Sequence, residues 1–146
     1  MARTPERIGQ RQTVGAPRNR APAIAVFYPG NSLMHQVSGW AVKFPAYDFA
    51  LSFEELALEV QAVLEDSTLS IFDATDNPAR ALIALNQAIA EGGPDSAVVY
   101  TGSMYEDLEL FVRSRGALFL LGPMDDAVWL ELFDKRTCRR KARRAA

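Results

Sequence analysis

The sequence predicts an α/β fold, a doubly wound parallel sheet in a three-layer sandwich with helices on both faces. Three observations support this prediction. Short apolar runs without polar alternation recur along the chain, as in strands that are buried on both faces. Helical patterns alternate with these runs, and the loops between them are short. The stretch from Ala97 to Pro123 shows the unit most clearly, since an apolar run, an amphipathic helix, Gly116 and a second apolar run follow one another directly.

Five apolar runs are predicted strands, and three of them end in residues of chemical interest. Asp73 follows the third run, Thr101 closes the fourth, and Gly122 follows the fifth. The carboxyl ends of parallel strands meet at one edge of a sheet, and ligands of open α/β sheets bind at that edge. We therefore expect these three residues to lie near one another. The predicted strands cover residues 23–28, 45–51, 68–72, 97–101 and 117–121.

Five helices are predicted, one after each strand. Two of their starts match a capping box, in which a Ser side chain and a Glu three residues later satisfy free backbone N–H groups. These pairs are Ser52 with Glu55 and Ser103 with Glu106. The third helix is expected to end at Gly92–Gly93, because glycine favours the left-handed backbone that ends many helices. The predicted helices start at Ser32, Ser52, Asn77–Pro78, Ser103 and Asp125 or Asp126, and the last can continue into the C-terminal tail.

The net charge of −2 hides three regions of opposite sign. Residues 1–22 carry a net charge of +4 and are predicted to be a disordered basic arm, since Pro, Gly, Arg and Gln dominate them. Residues 23–134 carry −13 and are predicted to be the folded domain. Residues 135–146 carry +7 and are predicted to be a basic tail. The tail contains Lys135, Arg136, Arg139, Arg140, Lys141, Arg143 and Arg144.

Four roles are open for this basic tail. Its cations suit the phosphates of a nucleic acid. They equally suit an acidic protein surface, including that of another copy of the chain. An anionic membrane surface is a third candidate, although the tail has neither an apolar face nor a lipidation motif. The fourth is a solvated helix end whose cations interact favourably with the helix dipole.

Several classes of protein are excluded by composition. No run approaches the roughly 20 apolar residues of a membrane span, and the N-terminal region lacks the apolar segment of a secretory signal. The single cysteine, Cys138, excludes an internal disulfide, and we expect a cytoplasmic protein. His35 is the only histidine and has no Cys or His near it in sequence, so no metal site is predicted. The glycine patterns of dinucleotide and P-loop sites are also absent, so no cofactor is predicted.

With these features in view, residues 23–134 resemble a receiver domain, the CheY-like phosphoryl-accepting module of bacterial response regulators. Asp73 stands where receivers end their third strand in the acceptor Asp. Thr101 stands at the position of the switch Thr or Ser, and Phe119 at that of the aromatic residue that moves with it. Gly122–Pro123 stands where the family has Lys–Pro. The resemblance implies the flavodoxin-like strand order 2-1-3-4-5.

Two departures separate the chain from this family. Receivers hold Mg²⁺ with two acids at the end of the first strand, where this sequence reads Val26–Pro29 and has no carboxylate. The family Lys, which pairs with the phosphoryl oxygens, is Gly122 here. Phosphoryl transfer needs positive charge on those oxygens. The resemblance therefore implies an atypical receiver, or pseudoreceiver, in which the acceptor-like Asp73 is inactive and caps its own turn.

We expect a non-catalytic signalling or adaptor module that acts by protein–protein contact and does not depend on phosphorylation. In receivers, the face built from the fourth helix, fifth strand and fifth helix carries dimer and partner contacts, so a homodimer is one form this module can take. Here that face would contain Leu108, Phe111, Phe119, Trp129, Leu132 and Phe133.

Two other functions remain open. The first is a nucleic-acid-associated regulator that binds through its basic tails. The second is a small enzyme that holds an anionic ligand at Thr101–Ser103, because helix N-termini attract anions.

Overall fold

The computed structural model describes residues 6–8 and 21–145, which form one sheet with helices on both faces. The strands lie in the order β1-β3-β2-β4-β5-β6, and all pairs from β3 to β6 are parallel. Taken in chain order, the five parallel strands therefore have the order 2-1-3-4-5, which confirms the predicted fold class. The strands are β1 (Glu6–Ile8), β2 (Ala23–Phe27), β3 (Asp48–Ser52), β4 (Leu69–Asp73), β5 (Ala97–Thr101) and β6 (Leu118–Leu121).

Five helices follow the five parallel strands, as predicted. The best predicted start is that of the third helix, where the Asn77 side chain accepts a hydrogen bond of 3.1 Å from the Arg80 N–H. Pro78 fits the next position because the first turn of a helix needs no N–H from it. The helices are α1 (Asn31–Lys43), α2 (Ala57–Glu65), α3 (Pro78–Gly92), α4 (Leu108–Ser114) and α5 (Asp126–Ala145).

Two predicted helix starts are wrong, and in both cases the capping residue has another role. Ser52 is the last residue of β3, because its carbonyl accepts a hydrogen bond of 2.9 Å from the Tyr28 N–H beyond the end of β2. Helix α2 begins five residues later. Ser103 is held in a turn by Thr101, and α4 begins only after Asp107, which has a left-handed backbone with φ of 64°.

The sheet separates two apolar layers, because successive residues of each strand point to opposite faces. One layer packs α2, α3 and α4 against residues such as Phe27, Phe72 and Val99. The other packs α1 and α5 against residues such as Val26 and Ile71. This second layer is rich in aromatic residues, with Trp40, Phe44, Tyr47, Phe49, Trp129 and Phe133 in mutual ring contact.

The structure corrects the predicted disordered arm at one point. Glu6–Ile8 forms β1, which pairs antiparallel with β3 at the edge of the sheet. An edge strand offers unpaired backbone N–H and C=O groups, so a short segment can add to it whatever its composition. The rest of the predicted arm up to residue 20 lies outside the described residues.

The predicted basic tail is helical, since α5 continues without a break to Ala145. At 1.5 Å per residue, the 20 residues of α5 span roughly 30 Å, about the size of a small domain. In the part of the chain that the structure describes, no helix combines the length and the apolar composition of a membrane span.

Candidate functional site

A cleft opens at the edge of the sheet where the parallel strands end, as the sequence predicted for the position of the site. Its volume is about 370 Å³. Asp73 lies at its base as the last residue of β4, and the first residues of α1 form one wall. The lining residues are Gly30, Asn31, Ser32, Leu33, Asp73, Thr75, Asp76, Tyr100, Gly102 and Pro123.

Both carboxylate oxygens of the buried Asp73 accept hydrogen bonds. Oδ2 accepts one of 2.8 Å from the Gly30 N–H, at the residue that precedes α1. Oδ1 accepts one of 2.9 Å from the Thr75 N–H and one of 2.5 Å from the Thr75 hydroxyl. The carboxylate thus closes its own turn, and it also ties the end of β4 to the start of α1.

Thr75 extends this network to the next strand. Its hydroxyl oxygen accepts a hydrogen bond of 2.8 Å from the Gly102 N–H, just after β5. Its carbonyl accepts a hydrogen bond from the Tyr105 hydroxyl. Since one hydroxyl can donate to Asp73 and accept from Gly102, Thr75 links the loops that follow β4 and β5.

Thr101 is fully buried and bonds within its own turn. Its hydroxyl accepts a hydrogen bond of 3.1 Å from the Ser103 N–H and donates one of 2.7 Å to the Ser103 carbonyl. The two bonds fix the Thr101–Ser103 turn and occupy the hydroxyl. The loop after β5 therefore contacts Asp73 through Thr75 and not through this hydroxyl.

Tyr100 fills the space where a side chain at position 122 would lie. A Cβ placed at Gly122 would overlap the Tyr100 ring. The ring is buried against Trp129, with 5.4 Å between the centroids. Burial, and to a smaller extent the nearby charge of Asp73, raise the pKa of the Tyr100 hydroxyl. The cleft thus has a neutral phenol beside the position that is lysine in receivers.

Comparison with known structures finds the same fold in receiver domains. The chain is similar to the signal receiver domain of a putative LuxO repressor protein from Vibrio parahaemolyticus, with a TM-score of 0.68, 18% identity, and coverage of 86% of this chain and 97% of that one. The chain has the fold of CheY-like receiver domains. A receiver domain protein from Methanospirillum hungatei JF-1 gives a TM-score of 0.65 at 17% identity, covering 85% of this chain and 99% of that one.

A third similar structure is not described as a receiver. It is a putative pilus assembly-related protein from Burkholderia pseudomallei, with a TM-score of 0.63, 13% identity, and coverage of 81% of this chain and 90% of that one. A scan of protein-family models finds no match for the sequence, and a comparison with curated proteins finds none either. At these identities the likeness concerns the fold.

The residues at the site do not fit the Mg²⁺ ion that receivers bind. Mg²⁺ requires several oxygen ligands in nearly octahedral geometry. The loop after β2 provides Tyr28 and Pro29, and one Asp73 oxygen is already bonded to the Gly30 N–H. Asp76 lies close to the same glycine, with its Oδ2 3.2 Å from a Cβ built there. Over residues 6–8 and 21–145, no three His, Cys, Asp or Glu side chains come together as a metal site would need.

The sequence placed Asp73, Thr101 and Gly122 at this edge of the receiver fold, but it did not find Thr75 or Tyr100. For Thr75 a local signal existed, since an Asp side chain often accepts a hydrogen bond from the backbone N–H two residues further on. For Tyr100 no local signal exists, because its role depends on Gly122, which directly follows the neighbouring strand β6. Only the structure shows that the Tyr100 ring occupies the space that a side chain at position 122 would need.

The predicted interaction face is corrected by burial. Leu108, Trp129 and Phe133 point into the apolar layers and offer no surface for a partner. The reason is that the helix repeat defines an apolar stripe, and this stripe packs on the sheet. Phe119 is also buried in β6, whereas Phe111 and Leu132 are partly exposed. The large apolar side chains that are exposed on α4, β6 and α5 are Leu110, Leu121 and Val128.

At the start of the basic tail, one cation forms an ion pair within α5 and the next one contacts the body. Lys135 Nζ lies 3.2 Å from a Glu131 carboxylate oxygen on the same helix. Arg136 donates a hydrogen bond of 3.3 Å to the Asp95 carbonyl. The side chains of the other predicted tail cations, Arg139, Arg140, Lys141, Arg143 and Arg144, lie outside the described part of the structure.

Proposed function

We propose that this chain is a receiver-like signalling module, a pseudoreceiver, that acts by protein–protein contact and whose conformation does not depend on phosphorylation. The hydrogen bonding of Asp73 carries the proposal. To attack a phosphoryl donor, a carboxylate oxygen must be free to approach the phosphorus in line. In this site one oxygen accepts from Gly30 and the other from two donors of Thr75.

The charge of the cleft supports the same proposal. The transferred phosphoryl group spreads negative charge over three oxygens, and enzymes stabilise it with cations. The described residues that line this cleft include the acids Asp73 and Asp76 and no Lys or Arg. Tyr100 occupies the space that a lysine at position 122 would need. A phosphoryl group here would meet two negative charges without a compensating cation.

We infer that the Asp73–Thr75–Gly102 network replaces the phosphoryl group as the link between the loops after β4 and β5. In a receiver, phosphorylation brings the acceptor Asp and the switch Thr together. Here Thr75 joins the two loops without a ligand, through bonds of 2.5 and 2.8 Å. The module therefore holds one conformation that a partner can recognise at any time.

The contact surface we assign to this function lies on α4, β6 and α5. β6 ends the sheet as an edge strand among the described residues, and edge strands pair readily with other chains. Leu110, Leu121 and Val128 are exposed around it. A protein partner or a second copy of the chain would cover these side chains. Phe111 and Leu132 of the predicted face lie partly exposed on the same elements.

The test is an amide NMR spectrum of the full chain with and without beryllofluoride and Mg²⁺, which together mimic a phosphorylated Asp. We expect no shifts at Asp73, Thr101 or Phe119, because the carboxylate is already bonded and the site lacks the cation. A receiver that has the two metal acids and the lysine, recorded under the same conditions, is the positive control. Shifts centred on Asp73 and β6 would contradict the proposal and make the chain a phosphorylation-dependent switch.

A second candidate function is nucleic-acid association through the basic end of α5. The observation that favours it is the path of α5, which continues as a helix to Ala145 and places the seven Lys and Arg of residues 135–146 on one extension. A continuous cationic helix suits the phosphates of a duplex. The salt dependence of such binding separates this function from the adaptor.

A further inference from the structure

A second surface of the molecule, far from β6, presents large apolar side chains to solvent. The segment made of the β3–α2 connection and the first two residues of α2 reads Phe53-Glu54-Glu55-Leu56-Ala57-Leu58. Three of its side chains are exposed, Phe53 to 51%, Leu56 to 67% and Leu58 to 81%. Such a density of exposed large apolar residues in six positions is typical of binding surfaces, since a scattered exposed leucine is common and a group is not.

Helix α3 adds a fourth apolar side chain to this surface. Arg80, Ile83 and Gln87 recur at a spacing of three and four residues, so they lie on one face of α3. Gln87 donates a hydrogen bond of 2.7 Å to the Ala57 carbonyl, which shows that this face borders the segment. Ile83 lies one turn from Gln87 and is 70% exposed. We call Phe53, Leu56, Leu58 and Ile83 the α2–α3 patch.

The backbone under the α2–α3 patch is fixed by hydrogen bonds. The Tyr28 hydroxyl donates a bond of 2.6 Å to the Glu54 carbonyl, and the Arg80 guanidinium lies 4.3 Å from the centre of the Tyr28 ring. The Leu56 carbonyl accepts a bond of 2.9 Å from the Val60 N–H. The apolar side chains are thus presented by an ordered segment, so binding would cost little conformational entropy.

The charges around the α2–α3 patch select the chemistry of its partner. Glu54 and Glu55 lie between the apolar residues of the segment, and Glu59 follows one turn after Glu55. These three acids outnumber the one cation of the bordering α3 face, Arg80, whose guanidinium lies over the Tyr28 ring. The domain that carries the patch has a net charge of −13 over residues 23–134. Nucleic acids and anionic membranes would be repelled by this surface. A binding partner needs apolar residues for the patch and cations for its acidic rim.

We propose that the α2–α3 patch is a docking site for a cationic amphipathic helix of a partner protein. A helix with an apolar stripe and flanking Lys or Arg meets both requirements, and laying such a helix on an apolar surface between two helices is a common mode of peptide recognition. β3 and β6 lie at opposite sides of the parallel sheet. The patch is therefore separate from the α4, β6 and α5 surface, and one module can hold two partners at once.

The experiment measures binding of the full chain to a synthetic peptide of about 18 residues, roughly five helical turns. Leu occupies positions i, i+3, i+4 and i+7 of this peptide, and Lys occupies the others. A peptide with the same composition in scrambled order has the same charge but no apolar stripe. We expect the patterned peptide to bind about tenfold more tightly or better, and its amide shifts to centre on residues 53–59 and Ile83.

Variants of exposed residues locate the contact. The double substitution Leu56→Ser and Leu58→Ser is expected to reduce binding of the patterned peptide to the level of the scrambled one. Glu55→Lys is expected to weaken it and to reduce its dependence on salt. Val42→Ser, at a residue that is 83% exposed on α1, is the matched control and leaves binding unchanged. The amide spectrum of each variant checks that the fold is intact.

Three results would overturn the proposal. One is equal binding of the patterned and scrambled peptides, which would show only charge attraction. Another is a set of amide shifts centred on Leu110, Leu121 and Val128. The third is a free protein that is already dimeric and becomes monomeric in the Leu56→Ser, Leu58→Ser variant, because the occupant would then be a second copy. None of these results affects the beryllofluoride test of phosphorylation independence.

Discussion

The packing of Tyr100 against Gly122 distinguishes this site from a site that has a lysine at position 122. Because a Cβ at Gly122 would overlap the Tyr100 ring, Gly122→Ala forces the ring or the backbone to move. Overpacking of this kind costs about 1–3 kcal/mol, and urea unfolding of the variant measures it. Gly102→Ala is the matched control. A Cβ there would lie 3.6 Å or more from its neighbours, and we expect a change in unfolding free energy of less than about 1 kcal/mol.

The same pair allows a double-mutant test of the cause. In a Tyr100→Ala background the ring is absent, so Gly122→Ala should cost less than it does in the wild-type chain. The difference between the two costs is the energy of the ring overlap. If Gly122→Ala cost the same in both backgrounds, the strain would come from the backbone of the β6 end and not from Tyr100.

At the scale of elements, Asp126 joins the two helices of the aromatic layer. Its carboxylate accepts hydrogen bonds of 2.9 Å from both Gln36 and Trp40 and one of 2.5 Å from Lys43, all on α1. Asp126 is the first residue of α5, where a negative charge also suits the helix dipole. The bonds, led by the one from Lys43, lower the pKa of this carboxyl from 3.8 to about 2.

This lowered pKa predicts a dependence of stability on pH. The hydrogen bonds to α1 favour the ionised form of Asp126 in the folded state. The contribution of Asp126 to the free energy of unfolding is therefore complete above a pH of about 5 and is lost as the pH falls from about 4 towards 2. Since Lys43 is largely exposed, we expect Asp126→Asn to cost only about 1 kcal/mol at pH 7. The cost should be much smaller at pH 2, where about half of the folded molecules carry a protonated Asp126. Unfolding by urea at both pH values measures it.

The neighbouring exposed Asp125 provides the control for this prediction. Asp125→Asn removes a charge at the same helix end without touching the bonds to α1. It should change the unfolding free energy by less than about 0.5 kcal/mol. A cost of Asp126→Asn that stays the same at pH 2 and pH 7 would mean that the shape of the side chain matters and its charge does not.

The elements also show what could be predicted from the sequence. All five parallel strands were predicted, because a strand that is buried on both faces appears in the sequence as a continuous apolar run. The starts of α2 and α4 were not, because Ser52 and Ser103 have neighbours in β2 and β5 that a capping pattern cannot reveal. The apolar stripe of α5 was predicted, but periodicity alone does not tell a stripe that packs on the sheet from one that faces a partner. Trp129 belongs to the first kind.

At the scale of the whole molecule, charge and apolar surface are divided among different regions. The domain carries −13 and the last twelve residues +7. Most of the exposed large apolar residues belong to one group on α4, β6 and α5 or to another at the start of α2 and on α3. A molecule with an acidic body, a basic helical extension and two apolar surfaces is suited to bring partners together. The basic extension is the part whose role is easiest to isolate.

Truncation after Cys138 removes five of the seven cations of the extension and keeps the buried Thr137, whose hydroxyl bonds to the Phe133 carbonyl. We expect the full chain to bind a random-sequence DNA duplex only weakly and to release it near 150 mM salt, as non-specific electrostatic binding does. In the truncated chain, the slope of log K against log salt should become less steep by up to about 4.5, since each of the five lost phosphate contacts contributes about 0.9.

Arg113→Gln is the control for this titration, because it removes an exposed cation of the body that pairs with Glu109. The slope should not change in this variant. An unchanged slope after truncation would show that the extension does not contact DNA and would leave it as a protein-binding or solvated helix. Tight binding that survives about 200 mM salt and prefers one sequence would favour the nucleic-acid-associated regulator, because phosphate contacts alone carry no sequence preference.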